Sequence, residues 1–214
     1  VYSAGNSDTK AFDLSQLPID SVLDDVISAL HTCSHVILQA PPGAGKSTRL
    51  PLVLLEREVF DGKIILLEPR RLAARNIARF LASQRGERVG ETVGLRVRGE
   101  TRVSDKTRIE IVTEGVLTKM IQSDPELEGV SLVIFDEFHE RSLHADLALA
   151  LSLDVQAGLR DDLTLLVMSA TLDSDALSGL LPDAAVVSSE GRSFPVVARY
   201  FTIARQYGYE SAVA

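Results

Sequence analysis

QAPPGAGKST, residues Gln39–Thr48, is the stretch that decides the fold of this chain. It follows a short apolar run, His35–Leu38, which predicts a buried strand, and the residues from Ser47 onward predict the start of a helix. A tight loop between a strand and a helix directs backbone N–H groups and the positive end of the helix dipole at phosphate oxygens. The stretch therefore predicts a P-loop that binds the phosphates of a nucleotide.

The residues of this loop have distinct predicted roles. Gly43 and Gly45 let the backbone turn tightly, Lys46 reaches the β- and γ-phosphates, and the Ser47 hydroxyl binds Mg²⁺. Ala40 replaces the glycine that usually opens the pattern; since alanine is the smallest alternative, we expect an intact phosphate cradle. The expected nucleotide contacts come from Pro42, Gly43, Ala44, Gly45, Lys46, Ser47 and Thr48.

Length and composition exclude several classes of protein. A chain of 214 residues with 45% hydrophobic and 24% charged residues fits one large folded domain. No apolar run approaches about 18 residues, so we expect no membrane span. The net charge of −8 disfavours a globally basic nucleic-acid binder, so any nucleic acid is expected at a local patch or on a missing part of the molecule. A single cysteine, Cys33, fits the reducing cytoplasm, our expected location.

Apolar runs alternate with helical patterns, which predicts a doubly wound α/β fold: a mostly parallel sheet with helices on both faces. The predicted strands are 35–38, 63–67, 108–112, 131–135, 163–168 and 184–188, with a further strand or hairpin arm in 90–99. The predicted helices are 17–30, with Asp20 or Ser21 as an early cap, 50–59, 72–84, 143–156 and 173–181. Ligands of such sheets bind at the carboxyl ends of the strands, where five polar clusters begin, at Ala40, Glu68, Thr113, Asp136 and Ser169.

Asp136 and Glu137 directly follow a buried strand, as a Walker B pair does. The first carboxylate then holds Mg²⁺ through water and the second orients or deprotonates the attacking water. The alternative is a pair of solvated loop acids. His139 and His144 are five residues apart, which on a helix leaves them about 140° apart, so a shared zinc ion is not expected. His139 is instead interpreted as a polar contact behind the acidic pair.

Four arginines follow the second strand. Arg70 and Arg71 lie at the predicted ligand edge, where phosphate contact is the favoured interpretation. Arg75 and Arg79 share a helical face, and for Arg75 ion pairs with neighbouring acids are at least as good an explanation.

At this point the residues resemble motifs I, Ia, Ib, II and III of the DExH (DEAH-type) superfamily 2 helicases. The matching stretches, in order over about residues 15–205, are 40–48, Pro69–Ala74, Thr113–Gly115, Asp136–His139 and Ser169–Thr171. The strings His139–Leu143 and Glu190–Val196 further resemble the bacterial HrpB branch of that family. Motif II reads DEFH where the DEAH subgroup has alanine third, a change that the DExH pattern allows.

The resemblance implies a first RecA-like domain with RNA-stimulated NTPase and ATP-dependent RNA helicase activity, and with ATP and Mg²⁺ as cofactors. It implies that Lys46, Asp136, Glu137 and His139 are catalytic, that Ser47, Asp136 and Glu137 serve Mg²⁺, and that His139 links the acidic pair to the partner domain. It further implies that Arg70, Arg71 and Thr113 contact the backbone of RNA or another single-stranded nucleic acid. Ser169 and Thr171 would couple hydrolysis to movement.

Nothing after Pro195 resembles motifs IV, V or VI, so the arginine fingers of a second RecA-like domain, the expected partner, are absent from the sequence. We therefore expect a lead-in at 1–14, the ATP-binding domain at 15–205 and the start of a linker at 206–214. Two alternatives are a nucleotide-dependent RNA-binding switch or scaffold without unwinding activity, and a P-loop kinase, for which no lid is recognisable.

Overall fold

The computed structural model describes residues 17–171, 177, 179–181 and 183–189. Within these residues the chain forms an eight-stranded sheet with the strand order β4-β3-β5-β2-β6-β7-β1-β8. The strands are β1 (His35–Gln39), β2 (Lys63–Leu67), β3 (Val93–Val97), β4 (Glu100–Arg102), β5 (Ile109–Val112), β6 (Val130–Phe135), β7 (Thr164–Ser169) and β8 (Ala185–Ser188). Only β4 runs antiparallel to its neighbour among these strands, so the predicted mostly parallel sheet is confirmed.

Helices cover both faces of the sheet, as predicted. They are α1 (Leu23–Thr32), α2 (Lys46–Glu56), α3 (Arg71–Gln84), α4 (Glu114–Ser123) and α5 (Leu143–Gly158), with 3-10 turns at Pro18–Val22 and Phe138–Glu140. One hydrophobic cluster joins α1, α2 and α3 to the sheet, and a second joins α4 and α5 to its other face. The central strands are buried on both sides, which explains their continuous apolar sequences; all six residues of β7 are buried.

The carboxyl ends of the parallel strands meet at one edge, as the five polar clusters predict. The Ala40 N–H donates to the Ser169 carbonyl at 3.0 Å, and the Asp136 N–H donates to the Leu67 carbonyl at 2.9 Å. The Glu68 N–H donates to the carbonyl of Val112, directly before Thr113, at 2.9 Å. Together with the parallel pairing of β6 with β7, these three backbone bonds connect all five clusters across neighbouring strands, so the clusters lie along one edge of the sheet.

Two predicted helices differ in detail. The single helix predicted over 17–30 is wrong: Val22, with φ −121° and ψ 5°, separates a 3-10 turn from α1. Asp20 does not cap the α-helix, because it lies inside that turn, where its carboxylate accepts the Leu17 N–H at 2.9 Å. The helix predicted over 50–59 instead spans Lys46–Glu56 and contains Pro51 in its second turn. The arm predicted in 90–99 is one strand of the β3–β4 hairpin.

Some predicted features lie outside the described residues. These are the lead-in at 1–14, the string Glu190–Val196, the linker at 206–214 and most of the helix predicted at 173–181. In the part of the chain that the structure describes, no helix combines the length and the apolar character needed to cross a membrane.

Candidate functional site

The P-loop has the backbone conformation that its two glycines permit. Gly43 has φ 77° and Gly45 has φ 98°, in the left-handed region that other residues rarely adopt. A Cβ atom on Gly45 would also lie 2.7 Å from Leu17 Cδ1 and 3.0 Å from Ile19 Cγ2. Because the Ile19 N–H donates to the Ala44 carbonyl at 3.1 Å, the 3-10 turn before α1 packs directly under the loop and supports it.

Lys46, the first residue of α2, is held inside this loop. The residue is 4% exposed, and its Nζ donates to the carbonyl oxygens of Ala40 at 2.6 Å and Pro41 at 3.3 Å. Carbonyl dipoles alone satisfy the ammonium group in the described contacts, so an anionic phosphate offers it a stronger, charge-assisted partner. Ala40 itself is fully buried at the end of β1, which agrees with an intact cradle despite the missing glycine.

Ser47 and Asp136 bring the P-loop and the acidic pair together. The Ser47 hydroxyl donates to Asp136 Oδ2 in a short hydrogen bond, and the Glu137 N–H donates to Asp136 Oδ1 at 2.9 Å. Burial first, and then the nearby Glu137 carboxylate, raise the pKa of Asp136 to about 6, against the lowering effect of the Ser47 bond. A hydroxyl and a carboxylate oxygen in contact are the hard ligands that Mg²⁺ prefers, with water and substrate phosphates completing its coordination.

The turn after Asp136 is backbone-strained where the second carboxylate is presented. Glu137 has φ 50° and Arg141 has φ 48°, a conformation that costs energy for residues with a Cβ atom and that often occurs at functional sites. The described residues contain no group of three or more His, Cys, Asp or Glu side chains that could hold a metal ion.

His139 lies behind the acidic pair, as predicted, and its contacts define its tautomer. Its Nδ1 accepts the Ala170 N–H at 3.2 Å, and its Nε2 lies 3.4 Å from Glu137 Oε2. Since Nδ1 acts as an acceptor, a neutral ring carries its proton on Nε2, towards the carboxylate. His139 therefore joins Glu137 to the loop that follows β7. The hydroxyl of Ser169, the last residue of β7, donates to the Thr171 carbonyl and accepts the Thr171 N–H at 3.3 Å.

Three charged residues beside the acidic pair form a network that the sequence did not reveal. Arg70 Nη2 lies 2.8 Å from Glu140 Oε1 and Arg70 Nε lies 3.9 Å from Glu68 Oε1, which also accepts the Arg70 backbone N–H at 3.2 Å. Glu68 begins one of the five polar clusters, yet no pattern in the sequence assigned it a role. Arg70, a predicted phosphate contact, therefore forms an ion pair with Glu140 in the turn that follows the acidic pair.

The other predicted nucleic-acid contacts lie at the same edge. Arg71 opens α3 and its Nη2 donates to the carbonyl of Arg98, at 2.8 Å. Thr113 is the N-cap of α4 but is only 8% exposed, and Glu114, the first residue of α4, is also buried, so Gly115 is the first residue of this helix that is exposed to solvent. The next residue, Glu114, accepts the Ser142 hydroxyl at 2.6 Å, and Ser142 also caps α5. This contact, which was not predicted, connects α4 to the turn after Asp136.

Glu68 gives a prediction for stability against pH. Burial first, and then the carboxylate of Asp136, raise its pKa from 4.5 to about 7. Between these values the folded chain binds more protons than the unfolded chain, so stability falls as pH rises. We expect Glu68→Gln to raise the free energy of unfolding at pH 8 by up to about 3 kcal/mol, at about 1.4 kcal/mol per pKa unit, and to change it little at pH 4.5.

Urea unfolding of the 214-residue chain at both pH values measures this difference. Glu56→Gln, at an exposed glutamate that ends α2, is the matched control and should leave the pH dependence unchanged. A Glu68→Gln chain with the same pH dependence as the parent would contradict the assigned protonation of Glu68.

Comparison with known proteins agrees with this geometry. The family model of the DEAD/DEAH box helicases matches residues 21–178. The chain is 61% identical over 201 residues to the ATP-dependent RNA helicase HrpB of Escherichia coli, covering 94% of this chain and 25% of that protein. It is 38% identical to the ATP-dependent RNA helicase HrpA of Borreliella burgdorferi, covering 85% of this chain and 22% of that protein.

The crystal structure of the E. coli DExH-box NTPase HrpB superposes with a TM-score of 0.82 at 60% identity, covering 95% of this chain and 25% of that chain. The chain thus spans about a quarter of the length of these relatives. Its sheet and helices have the RecA-like fold of their helicase domain, as the resemblance implied. The family model covers well over half of the sequence, and the chain belongs to the DEAD/DEAH box helicase family.

Proposed function

We propose that this chain is the first RecA-like, ATP-binding domain of an ATP-dependent RNA helicase that works in the cytoplasm. The observation that carries the proposal is the contact between the P-loop and the acidic pair. The Ser47 hydroxyl donates to the Asp136 carboxylate, beside the buried Lys46 and next to Glu137. A phosphate cradle, a cation for the phosphates and two carboxylates are the parts that NTP hydrolysis needs at one place.

Each residue has a task in this proposal. Lys46 leaves the carbonyls of Ala40 and Pro41 and binds the β- and γ-phosphates. Ser47 and Asp136 would hold Mg²⁺, which would supply positive charge to neutralise the phosphates when bound. Glu137 orients the attacking water and receives its proton as the new O–P bond forms and the bond to the leaving β-phosphate oxygen breaks. His139, with Nε2 facing Glu137, keeps that carboxylate in position.

The proposed RNA-binding residues lie at the opposite end of the same edge of the sheet. RNA backbone phosphates are bound by Arg70, Arg71 and Thr113 at the start of α4. Ser169 and Thr171 couple hydrolysis of the nucleotide to movement of the protein. Domain boundaries at 15 and 205 and a second RecA-like domain beyond residue 214 belong to the same proposal. A switch or scaffold without hydrolysis is not favoured, because Lys46, Ser47, Asp136 and Glu137 are all present and the relatives are named ATP-dependent RNA helicases.

We expect the double change Arg70→Ala with Arg71→Ala to weaken RNA binding equally across unrelated sequences. Each lost phosphate contact removes about 0.7 from the slope of log K against log salt on single strands and about 0.9 on duplexes, so the slope should fall by one to two units. The measurement is fluorescence anisotropy of labelled RNA oligonucleotides with the 214-residue chain over a salt series.

Arg57→Ala with Lys119→Ala is the matched control, because it removes two exposed cations away from this edge. An Arg70/Arg71 double variant whose salt slope equals that of the parent chain would rule out the proposed phosphate contacts.

A further inference from the structure

The turn after β6 is built so that its parts move together. It spans residues 137–142, and we call it the Glu137 turn. Phe138 anchors it in the core, because this side chain is buried and its ring meets the Phe135 ring edge-on, with the ring centres 6.3 Å apart. The Glu140 N–H donates to the Glu137 carbonyl at 2.9 Å. A movement of the Glu140 backbone is therefore passed to Glu137 through a single hydrogen bond.

Two side chains of the Glu137 turn contact residues in or beside the proposed RNA-binding positions. Glu140 Oε1 lies 2.8 Å from Arg70 Nη2. The Ser142 hydroxyl donates to the Glu114 carboxylate at 2.6 Å, and Glu114 directly follows Thr113 in the sequence. The turn that presents the proposed water-activating carboxylate is therefore joined to the proposed RNA-binding residues by side-chain contacts as well as by the sheet.

The position of Arg70 does not depend on Glu140 alone. Glu68 Oε1 accepts the Arg70 backbone N–H at 3.2 Å and lies 3.9 Å from Arg70 Nε. The Glu68 side chain is only 3% exposed, whereas those of Arg70 and Glu140 are 63% and 38% exposed. Glu68 therefore holds the arginine from the buried side, and a ligand from solvent can reach the guanidinium group where it meets Glu140.

An RNA phosphate and the Glu140 carboxylate compete for this guanidinium group. Arginine binds phosphate through charge-assisted and often bidentate hydrogen bonds, as it binds carboxylate. The phosphate is itself anionic, so it repels the Glu140 carboxylate when both approach Arg70. Ion pairs as exposed as this one are weak, so the pair does not prevent the exchange. A phosphate that binds Arg70 therefore separates Glu140 from the arginine.

We propose that Glu140 is a positioning residue that restrains the Glu137 turn through Arg70 until RNA binds. An RNA phosphate on Arg70 releases Glu140, and the freed turn brings Glu137 to the attacking water. This inference rests on the proposed function and names the regulation of its ATP site. Because the ion pair and the phosphate contact exclude each other, loss of the pair acts on turnover in the same direction as RNA does.

Glu140→Gln in a chain of the full length of the relatives tests this restraint. We expect its kcat for ATP without RNA to rise about twofold to fivefold, the range that an exposed ion pair supplies. The KM for ATP should stay unchanged, because the P-loop is untouched, and stimulation by RNA should shrink. Steady-state phosphate release with and without single-stranded RNA measures both effects. A merely structural ion pair gives no reason for a gain in kcat.

The same variant should bind RNA more tightly. Glu140 no longer competes for Arg70, while Glu68 still holds the arginine in place, so we expect the Kd for RNA to fall about twofold to fivefold. Fluorescence anisotropy of a labelled single-stranded RNA, without nucleotide, measures the change. Asp24→Asn is the matched control, since it removes an exposed carboxylate that lies 2.5 Å from Arg57, and it should change kcat and Kd much less.

Arg70→Ala breaks the same ion pair from its other side. It should raise the kcat without RNA by a factor similar to that of Glu140→Gln, although it weakens RNA binding. The double variant should have the same kcat without RNA as either single variant, because both changes remove one interaction. Factors that multiply in the double variant would contradict the proposed restraint.

The outcomes separate this inference from the proposed function. A parent chain of full length whose ATP turnover does not rise with RNA overturns the proposed function and this inference with it. A stimulated parent chain whose Glu140→Gln form has an unchanged kcat without RNA overturns the inference alone. A lower kcat without RNA also overturns it, because Glu140 would then support the active form of the turn.

Discussion

A chain of the full length of its relatives should hydrolyse ATP about 10³ to 10⁵ times faster than the 214-residue chain. In the proposed function the shorter chain positions the phosphates, the cation and the water through Lys46, Ser47, Asp136 and Glu137. It lacks the positive charge that stabilises the γ-phosphate oxygens in the transition state, for which arginine fingers are worth that factor. In the proposed function these arginines come from the second RecA-like domain.

The local arginines cannot easily replace those fingers. Arg70 is engaged by Glu140 at 2.8 Å and Arg71 by the Arg98 carbonyl at 2.8 Å. Neither has a described contact with the P-loop. We therefore expect the 214-residue chain to bind ATP and turn it over very slowly, and the longer chain to be both faster and stimulated by RNA.

Steady-state phosphate release from the short chain, the long chain and its Glu137→Gln form measures this difference. Glu137→Gln in the long chain should abolish turnover and leave ATP binding intact, since it removes the group that receives the proton and keeps the P-loop unchanged. Glu56→Gln is the matched control. A short chain as fast as the long one would refute the two-domain mechanism, while an active Glu137→Gln chain would refute only the role of that carboxylate.

The parts of the fold that could be predicted are those that depend on local sequence. Central strands of a parallel sheet are buried on both faces, so each is a continuous apolar run, and Lys63–Leu67 was predicted with the bounds that the structure has. Asp136 and Ser169 come at the ends of such runs. Parallel pairing of the strands is therefore enough to predict that the two residues meet at one edge of the sheet. The ion pair expected for Arg75 is likewise confirmed, by Glu100.

The parts that could not be predicted depend on contacts between distant residues. Glu140 lies seventy positions after Arg70 in the sequence, and their pairing follows only once β2 and β6 are known to be neighbours. The bond between Ser142 and Glu114 has the same origin. The break between the 3-10 turn and α1 is different: its residues have helical spacing, but the turn packs under Gly45, and that tertiary contact fixes its geometry.

Replacing Lys46 should give the largest loss of nucleotide affinity available from one side chain. It is the cation of the cradle, and hydrogen bonds to charged groups are worth about 1.5–3 kcal/mol each, so Lys46→Ala should weaken binding of ATP or ADP with Mg²⁺ by about tenfold to a hundredfold or more. Isothermal titration calorimetry of the 214-residue chain measures this loss.

Lys46 is also 96% buried, since its exposed fraction is 4%, so alanine leaves a cavity as well as removing a charge. Lys46→Met separates the two effects, because methionine fills most of the aliphatic space but has no ammonium group. If the loss arises because the Lys46 ammonium group no longer binds the phosphates, both variants lose affinity to a similar extent. Lys119→Ala, at an exposed lysine of α4, should keep the affinity of the parent chain. A Lys46→Met chain that binds ATP as tightly as the parent would show that Lys46 supports the loop through packing. It would contradict the predicted role of Lys46 in phosphate binding.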